Sequence, residues 1–395
     1  MFKKIIPISI FALFCFLLTN LFFPASVAAL SNSPEALEVQ VNQILEQKTV
    51  AFDDLGQMIE PTPECLADSQ NCLTQNYQKF QALVLAPAEK KDQVVTIISG
   101  DNPNIALFDY QIGDKLIVEP DLTNNLSTST DPTNQSELIY HVNDYLRRDS
   151  IIILFIIFLI IVFIVTRWKG LRAVVGMVYS FVIIFKITLP LIVAGHNPFL
   201  VAILTIVLIL PPTFYFSHGF NRQSNAALIG TAISLLLTTF CAFLAIKGTH
   251  LTGYANEESS FILALMGGRI NVQGLLIAGI MISALGTLND VTVSQASIVA
   301  ELKKENPQQN FGELYRKAMH VGRDHIVSMV DTLILVYAGG SLPLLILIAD
   351  SSRPLLEIMN YELIAQELVN MLIGSIGVVL AVPITTAVAG LFFDD

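Results

Sequence analysis

The sequence predicts an α-helical multi-pass membrane bundle of about seven transmembrane helices, preceded by a small β-rich extracytoplasmic N-terminal domain. Of the 395 residues, 53% are hydrophobic and only 14% are charged, whereas a soluble domain carries about 25% charged residues. Apolar runs of roughly 18 or more residues recur, which is the length needed to cross a membrane. The acidic residues concentrate between Glu35 and Asp149. This acidic balance gives no support for nucleic-acid binding.

Residues 1–29 have the pattern of a signal peptide or of an uncleaved signal anchor. Lys3 and Lys4 precede an apolar run from Ile5 to Phe23, and small residues follow Pro24. This order is typical of secretory targeting segments. With or without cleavage, such a segment directs the residues that follow it out of the cytoplasm.

Residues 30–148 form the expected extracytoplasmic domain. The stretch from Glu35 to Gln47 has helix-like character. Three β-branched runs, bounded by Gly, Pro or Asp, predict strands near 80–86, 93–99 and 114–119, so the domain is predicted to be β-rich from about residue 77. Residues 121–136 are rich in Asn, Ser, Thr and Asp, which predicts a loop. The sequence is compatible with three roles for this domain: binding a partner, covering the mouth of a channel, or acting as a structural cap.

Two cysteines, Cys65 and Cys72, lie in this hydrophilic segment. If the segment is outside the cytoplasm, a disulfide between them would close a short loop. Two free thiols are the alternative. No His lies nearby in the sequence, so we expect no metal site at these thiols.

Seven apolar spans follow this domain. They are Ile151 to Thr166, Ala173 to about Ala194, Phe199 to Phe216, Ala226 to Ile246, one within Asn271 to Ala300, Ile326 to Ala349, and about Leu368 to Phe393. The run from Phe261 to Met266 is too short to span, and we expect it to be re-entrant or part of a bent entry. Together these spans place the transmembrane domain at residues 149–395.

The loop charges predict the orientation of the spans. Nine basic residues fall in loops expected to be cytoplasmic: Arg167, Lys169, Arg172, Arg222, Lys303, Lys304, Arg316, Lys317 and Arg323. Three fall in loops expected outside, Lys247, Arg269 and Arg353. Because cytoplasmic loops are enriched in Lys and Arg, residues 30–148 are expected outside and the C-terminus inside. The expected location is the plasma membrane of a bacterium.

A cytoplasmic amphipathic connector is predicted at about 301–325. Six of its residues share one helical stripe, at spacings of three and four residues: Phe311, Leu314, Tyr315, Ala318, Met319 and Gly322. The stripe is expected either to pack on the bundle or to lie on the membrane surface. His325, at its end, is either a residue that titrates near neutral pH or an interfacial residue with no special role.

Asp290 and Lys186 are ionisable residues inside predicted spans. Asp290 lies 11 residues before Glu301, which is about 16 Å along a helix. Lys186 lies 14 residues after Arg172, or about 21 Å. A Lys186–Asp290 ion pair is therefore compatible with the spacing and would lower the cost of both charges. The alternative is that Lys186 snorkels to the outer interface.

Asp331 is the second intramembrane carboxylate. It follows Asp324 by seven residues, or about 10 Å of helix. If the fifth and sixth spans are antiparallel neighbours, Asp290 and Asp331 would lie at similar depth. The competing interpretation puts each Asp near the interface, where it caps a helix or bonds a Ser or Thr.

Signatures of soluble enzymes are absent from the sequence. It contains no G-x-x-x-x-G-K-[ST], no H-E-x-x-H and no G-x-S-x-G. The neighbourhoods L-N-D and M-V-D also lack the Gly-rich pattern of membrane aspartyl proteases. We therefore expect a protein that is not an enzyme, with no cofactor and no metal.

Three stretches of the chain resemble the YibE/F family of multi-pass membrane proteins. They are GTLNDVTVSQASIVAEL, AMHVGRDHIVSMVDTLILVYAGGSLPLL and GSIGVVLAVPITT, and the segment YQIGDKLIV resembles the family's domain before its first span. The resemblance covers roughly Tyr77 to Phe393. It implies a multi-pass membrane protein with an expected role in transport.

A fainter similarity connects the chain with RND-type transporters and the SecD/SecF export proteins. The shared order is an apolar span with Asp290, then Glu301, an amphipathic helix and another apolar span. In those proteins the central aspartate is linked to proton use. In this chain, only Asp290 and Glu301 match residues of that shared pattern. Their large external domains have no counterpart here. A single set of spans would imply a homodimer or a related membrane subunit as partner.

The sequence therefore predicts a transporter or permease-like component, proton-coupled through Asp290 with Asp331 and Lys186 as partners. Asn289, Glu301, Arg323 and His325 are the supporting residues. The rival hypothesis is a non-transporting accessory or scaffold protein that binds partners through its external domain. Convergence of Asp290, Asp331 and Lys186 in one polar, hydrated cavity would favour transport. If they face separate interfaces instead, the transport hypothesis loses its only physical basis. Nothing in the sequence indicates the substrate.

Overall fold

The computed structural model describes residues 36–52, 58–59, 73–101, 109–120, 139–255, 257–350 and 353–394. They form two compact units, one within residues 25–160 and the other within residues 161–395. The targeting segment, Cys65 and Cys72 lie outside the described residues, so their predictions stay predictions.

A small β-barrel makes up most of the first unit. Its strands are β1 Leu37–Phe52, β2 Met58–Ile59, β3 Leu73–Ala86, β4 Val94–Ser99, β5 Lys115–Pro120 and β6 Ile139–Tyr145. The sheet order is β2-β1-β3-β4-β6-β5, and β5 returns to pair with β1. The β4–β6 pair is parallel, and the other pairs are antiparallel. The five longer strands thus close into a barrel with the strand order of the OB type, which leaves no open sheet edge between them.

The three predicted strands correspond to β3, β4 and β5, whereas the helix-like interpretation of Glu35 to Gln47 is wrong. Within that stretch, the residues from Leu37 onward belong to β1, in which Leu37, Val39 and Val41 are buried and alternate with more exposed residues. The Glu and Gln residues of this stretch favour a helix. The two-residue period of its buried residues determines a strand instead. Strand β6 had no sequence prediction, and β-structure begins well before residue 77.

Gln78 supplies a polar bridge inside the barrel. Its side chain is buried, and its Nε2 donates to the carbonyl oxygen of Tyr110 at 3.2 Å. The Tyr110 amide donates in turn to Gln78 Oε1 at 2.9 Å. Strand β3 is thereby joined to the segment that leads into β5, and both backbone groups of Tyr110 are satisfied.

Ten α-helices follow in the described part of the chain. They are α1 Arg148–Ile183, α2 Leu189–Val193, α3 Pro198–His218, α4 Arg222–Gly248, α5 Glu257–Met266, α6 Val272–Glu305, α7 Phe311–Gly340, α8 Leu342–Ala349, α9 Leu355–Ile358 and α10 Glu362–Asp394. A π-helical segment, Ile184–Thr188, joins α1 to α2.

Five helical segments among the described residues are long and apolar enough to cross a membrane, by length and composition alone. They are Arg148–Val193, Pro198–His218, Arg222–Gly248, Val272–Glu305 and Glu362–Phe393. The sequence predicted seven spans: the first two fall within the segment Arg148–Val193, and the sixth is not among the five segments.

The first two predicted spans form one helical segment of 46 residues. The segment is interrupted at Arg167, whose backbone has φ 53° and ψ −139°. At 1.5 Å per residue, the segment is about 69 Å long, more than twice the roughly 30 Å of a hydrocarbon core. Because the backbone is non-helical at Arg167, this residue is the junction of two helices, which correspond to the first two predicted spans. The basic residues after Thr166 mark that junction.

The predicted sixth span, Ile326 to Ala349, is divided between α7 and α8. Helix α7 ends at Gly340 and α8 begins at Leu342. Within α7, Arg323, Asp324 and Asp331 leave only a short uncharged stretch before that end. This division explains why α7 is not among the segments with the length and composition of a span.

The second unit is built around α4, α6 and α10, which pack against one another. Helix α7 packs on α6 and α10, and α3 packs on α6. Polar side chains bridge these helices. Thr231 and Thr292 join α4 to α6, with hydroxyl oxygens 2.6 Å apart. Because hydrocarbon offers no water, such side chains bond to each other or to backbone.

Gln295 of α6 bonds to two neighbouring helices at once. Its Nε2 donates to Thr386 Oγ1 of α10 at 2.7 Å and to the carbonyl oxygen of Ala318 in α7 at 3.1 Å. The Gln295 side chain is fully buried. These two hydrogen bonds therefore fix the positions of α7 and α10 along the axis of α6.

Small residues permit close approach between α4 and α10. A Cβ on Gly230 would lie 2.5 Å from Thr385 Oγ1, and a Cβ on Gly377 would lie 2.7 Å from Thr238 Oγ1. At Gly339 and Gly340 of α7, by contrast, a Cβ would meet nothing within 4 Å.

The amphipathic stripe of the predicted connector packs on the bundle. Helix α7 begins after the N-cap Asn310, whose side chain accepts a hydrogen bond from the amide of Glu313. Leu314, Ala318 and Gly322 of the stripe are buried. A Cβ on Gly322 would lie 2.6 Å from Val382 Cγ1 of α10, so the side chain of Val382 packs directly against the α7 backbone there.

We expect Gly322→Ala to lower the thermal unfolding midpoint of the full-length protein in detergent. The added methyl group would overlap Val382 and Gln295, and overpacking of this kind costs about 1–3 kcal/mol. Gly339→Ala is the matched control on the same helix, because its Cβ would meet open space. A Gly322→Ala midpoint equal to that of Gly339→Ala would contradict the close α7–α10 approach.

We expect Gln78→Leu to loosen the barrel around Tyr110. The substitution leaves the Tyr110 amide and carbonyl without partners, and each unsatisfied buried group costs about 1–3 kcal/mol. Hydrogen–deuterium exchange of the full-length protein should become faster for the peptide that contains Tyr110. Gln43→Leu, at an exposed position of β1, should leave that peptide unchanged, and equal exchange in both variants would rule out the bridging role.

Candidate functional site

A cavity of about 670 Å³ lies between α1, α3 and α6 in the second unit. Its polar lining residues are Thr166, Lys169, Ser180, Thr213, Ser217, His218, Asn289 and Asp290. Apolar residues and glycines form the rest of the wall. The cavity therefore brings an acidic, a basic and an imidazole side chain to one space among otherwise apolar helices.

The charged end of the cavity is formed by three different helices. Lys169 follows the break of α1 at Arg167, and His218 is the last residue of α3. Asp290 lies in the middle of α6, 15 residues before its end at Glu305. The side chains of Asp290 and His218 are close enough to interact electrostatically.

The opposite end of the cavity is apolar. The lining residues of α3 run from Ile209 and Leu210 toward Ser217 and His218, and those of α6 run from Ile282 toward Asp290. Ile184, which lies in the π-helical segment, also lines the cavity. Polarity therefore rises along the cavity toward Asp290, as in a space that accepts both water and an apolar group.

The π-helical segment is held by a hydroxyl pair. Thr188 and Thr205 are buried, with their oxygens 2.6 Å apart, and Thr205 also donates to the carbonyl oxygen of Val201. A π-helical turn removes the regular i to i−4 pattern, and such turns are frequent at functional sites. Here the turn borders the apolar end of the cavity.

The three residues predicted to couple ions do not converge. All three are exposed residues, but only Asp290 lines the cavity, and Lys186 and Asp331 are not among its lining residues. No ion pair joins Lys186 to Asp290 within the described part of the chain. Lys186 lies in the π-helical segment, and Asp331 lies on α7.

The four supporting residues are also spread over several places. Asn289 lines the cavity beside Asp290. Glu301 is exposed and pairs with Lys304 at 3.5 Å. Arg323 lines a second cavity, and His325 is half-buried on α7. Of the predicted site residues, the structure thus groups only Asn289 and Asp290, and their part in coupling stays a prediction.

Sequence reasoning missed His218 and used Lys169 only as an orientation signal. Both sit at the ends of predicted apolar spans, where polar residues are common, so neither stood out. A signal was nevertheless present, since a His at a span end and a carboxylate in mid-span can meet when helices cross. Among the described residues, no group of three or more His, Cys, Asp or Glu side chains is arranged to hold a metal ion.

Glu362 is another residue that the sequence did not single out. Its carboxylate accepts hydrogen bonds from the Gly253 amide at 2.9 Å and from the Thr252 hydroxyl at 2.8 Å. The Thr252 amide also donates to it, at 2.5 Å. These contacts tie the start of α10 to the loop after α4. They lie apart from the cavity lining.

Comparison with protein families gives one match, to the family described as YibE/F-like protein, over residues 154–395. The match covers the apolar helices, including all those that line the cavity, whereas the resemblance noted in the sequence began earlier, near Tyr77. Comparison with curated proteins and with solved structures gave no match. The matched region is more than half of the chain and includes five helical segments of membrane-spanning character. This chain belongs to the YibE/F family of membrane proteins.

Proposed function

We propose that this protein is a membrane transporter that couples solute movement to protonation of Asp290. The observation that carries the proposal is the cavity that Asp290 lines together with His218 and Lys169. A carboxylate on a membrane helix is costly in hydrocarbon, and it is tolerated where it faces a cavity that admits water. Such intramembrane carboxylates commonly mark proton or substrate paths.

The cavity supplies groups for a proton-dependent change in interaction. When Asp290 is ionised, its negative charge attracts the Lys169 ammonium and a protonated His218 across the cavity. Proton uptake at a carboxylate oxygen of Asp290 would remove that attraction. Because Lys169, His218 and Asp290 belong to α1, α3 and α6, protonation would favour a different spacing of these helices. A coupling ion must distinguish two states in this way in order to shift the balance between them.

The proposal differs from the sequence hypothesis in its partners. The sequence named Asp331 and Lys186, which are exposed outside the cavity lining, so the convergence on which the hypothesis depended is not met. The proposal rests instead on Lys169 and His218. The irregular backbone of Ile184–Thr188 beside the cavity supports it, because broken helices often border transport sites.

We also propose the membrane arrangement that the loop charges predict. The 46-residue segment would cross twice, with the break at Arg167 near the cytoplasmic face and the β-barrel domain outside the cytoplasm of a bacterial cell. Its length of about 69 Å supports two crossings rather than one. A second copy of the chain, or a related membrane subunit, would complete the bundle.

We expect Asp290→Asn to abolish proton flux in reconstituted vesicles under an imposed pH gradient. The amide has nearly the shape of the carboxylate but cannot take up and release the proton. A pH-sensitive dye inside the vesicles should show gradient-driven flux with the parent protein. With Asp290→Asn, the signal should fall to that of vesicles without protein.

Two further Asp→Asn variants sharpen this test. Asp350→Asn, at an exposed helix end, controls for the loss of one carboxylate and should keep the parent flux. Asp331→Asn should also keep the flux if the cavity is the coupling site, whereas the sequence hypothesis expects a loss. Proton flux that survives in Asp290→Asn, or is absent from the parent, would overturn the proposal and favour the accessory-protein alternative.

A further inference from the structure

A second cavity, of about 620 Å³, lies beside the first turns of α7 and is lined by four basic residues. These are Arg316, Lys317, His320 and Arg323. Leu302 of α6 and Tyr315, Met319 and Val321 of α7 complete the lining. No acidic side chain is among these lining residues, although the chain as a whole has a formal net charge of −11.

The basic side chains have no anionic partner within the described part of the protein. Arg316, Lys317 and Arg323 are exposed and make no ion pair or side-chain hydrogen bond there. Glu301, next to the lining residue Leu302 on α6, pairs with Lys304 instead. Glu313 and Asp324 lie on α7 itself, but neither forms an ion pair with these three cations in the part of the chain that the structure describes.

Helix α7 presents this cluster because its opposite face is buried. Leu314, Ala318 and Gly322 pack into the bundle, and Arg316, His320 and Arg323 follow one another at spacings of four and three residues on another face. Residues with these spacings are neighbours on a helix surface. The packing of the buried stripe thus fixes where the basic residues gather.

The position of the cavity suits a ligand with an anionic head and an apolar part. Leu302 lies three residues before the end of α6, a segment with the length and composition of a membrane span. Lipid phosphates are found at the ends of such spans, and basic pockets between helices bind anionic head groups there. Leu302, Tyr315 and Met319 offer apolar surface beside the charges.

We propose that this basic cavity binds a phosphate-bearing anion, with the head group of an anionic membrane lipid as the source. Arg316 and Arg323 would each offer a planar fork of donors to phosphate oxygens, and Lys317 would add a point charge. The bound head group would hold the α6–α7 junction at the membrane surface. This site is separate from the cavity lined by Asp290, because the two share no lining residue.

The test uses purified full-length protein in an uncharged detergent. It is titrated with short-chain phosphatidylglycerol, with short-chain phosphatidylcholine or with inorganic phosphate, and the thermal unfolding midpoint reports binding. The pocket variant carries Arg316→Gln, Lys317→Gln and Arg323→Gln. The matched control, Lys247→Gln with Arg269→Gln and Arg353→Gln, removes three positive charges elsewhere in the same unit.

Phosphatidylglycerol should raise the midpoint of the parent and of the control variant, and high salt should weaken the effect. The pocket variant should bind roughly 100-fold more weakly, given three lost charges. A variant with Arg316→Lys and Arg323→Lys should keep most of the shift, which separates loss of charge from misfolding. An equal response to inorganic phosphate would support the site with a soluble anion as its source. Equal responses to phosphatidylglycerol in the pocket and control variants, or no preference over phosphatidylcholine, would overturn the proposal.

Discussion

Buried polar side chains must find partners inside an apolar bundle, and this constraint organises the second unit. Gln295 shows it most clearly, since its amide nitrogen bonds both Thr386 of α10 and the backbone of Ala318 in α7. In hydrocarbon, an unmet donor costs several kcal/mol. Gln295 can make both hydrogen bonds only if α7 and α10 lie close to α6. Gly322 makes that approach possible, because it faces both Gln295 and Val382 without a side chain.

The same constraint separates the two kinds of polar residue in this protein. Thr231, Thr292 and Gln295 are buried and bond across helix pairs, so they hold the helices in register. Asp290 and Lys169 instead line a cavity and have no ion-pair partner among the described residues. A polar group bonded across two helices is held in one arrangement, whereas a charge facing a cavity keeps the freedom to gain a proton or a ligand. This contrast is the physical basis for assigning function to the cavity.

Helix α7 links the two cavities to the architecture of the bundle. Its first half buries one stripe against α6 and α10 and carries the basic residues on its other side. Its second half carries Asp331 on an exposed face. The hydrogen bond from Gln295 to the Ala318 carbonyl joins the buried side of α7 to α6, the helix that also carries Asp290.

The sequence by itself determined the class of the protein and much of its local structure. Long apolar runs demand a membrane because no soluble core could bury them all. The β-branched runs specified three strands, and the stripe from Phe311 to Gly322 specified which face of α7 is buried. These features depend on residues close in the chain, whose periodicity is visible without a structure. The stretches around Asp290 and around GRDH likewise indicated membership of the YibE/F family.

Only the tertiary structure decided which ionisable groups meet. The rise per residue along each helix gave Lys186 and Asp290 depths that were compatible with an ion pair. Depth alone does not fix which face of the helix a side chain occupies, because that depends on the rotation of the helix about its axis. Helix crossing places Asp290, His218 and Lys169 along one cavity, and it leaves Lys186 and Asp331 outside that lining. The strand identity of β1 was likewise decided by pairing with β3 and β5, which overrides the helix preference of its Glu and Gln residues. Contacts between residues far apart in sequence fix these outcomes, and no single stretch of the chain contains that information.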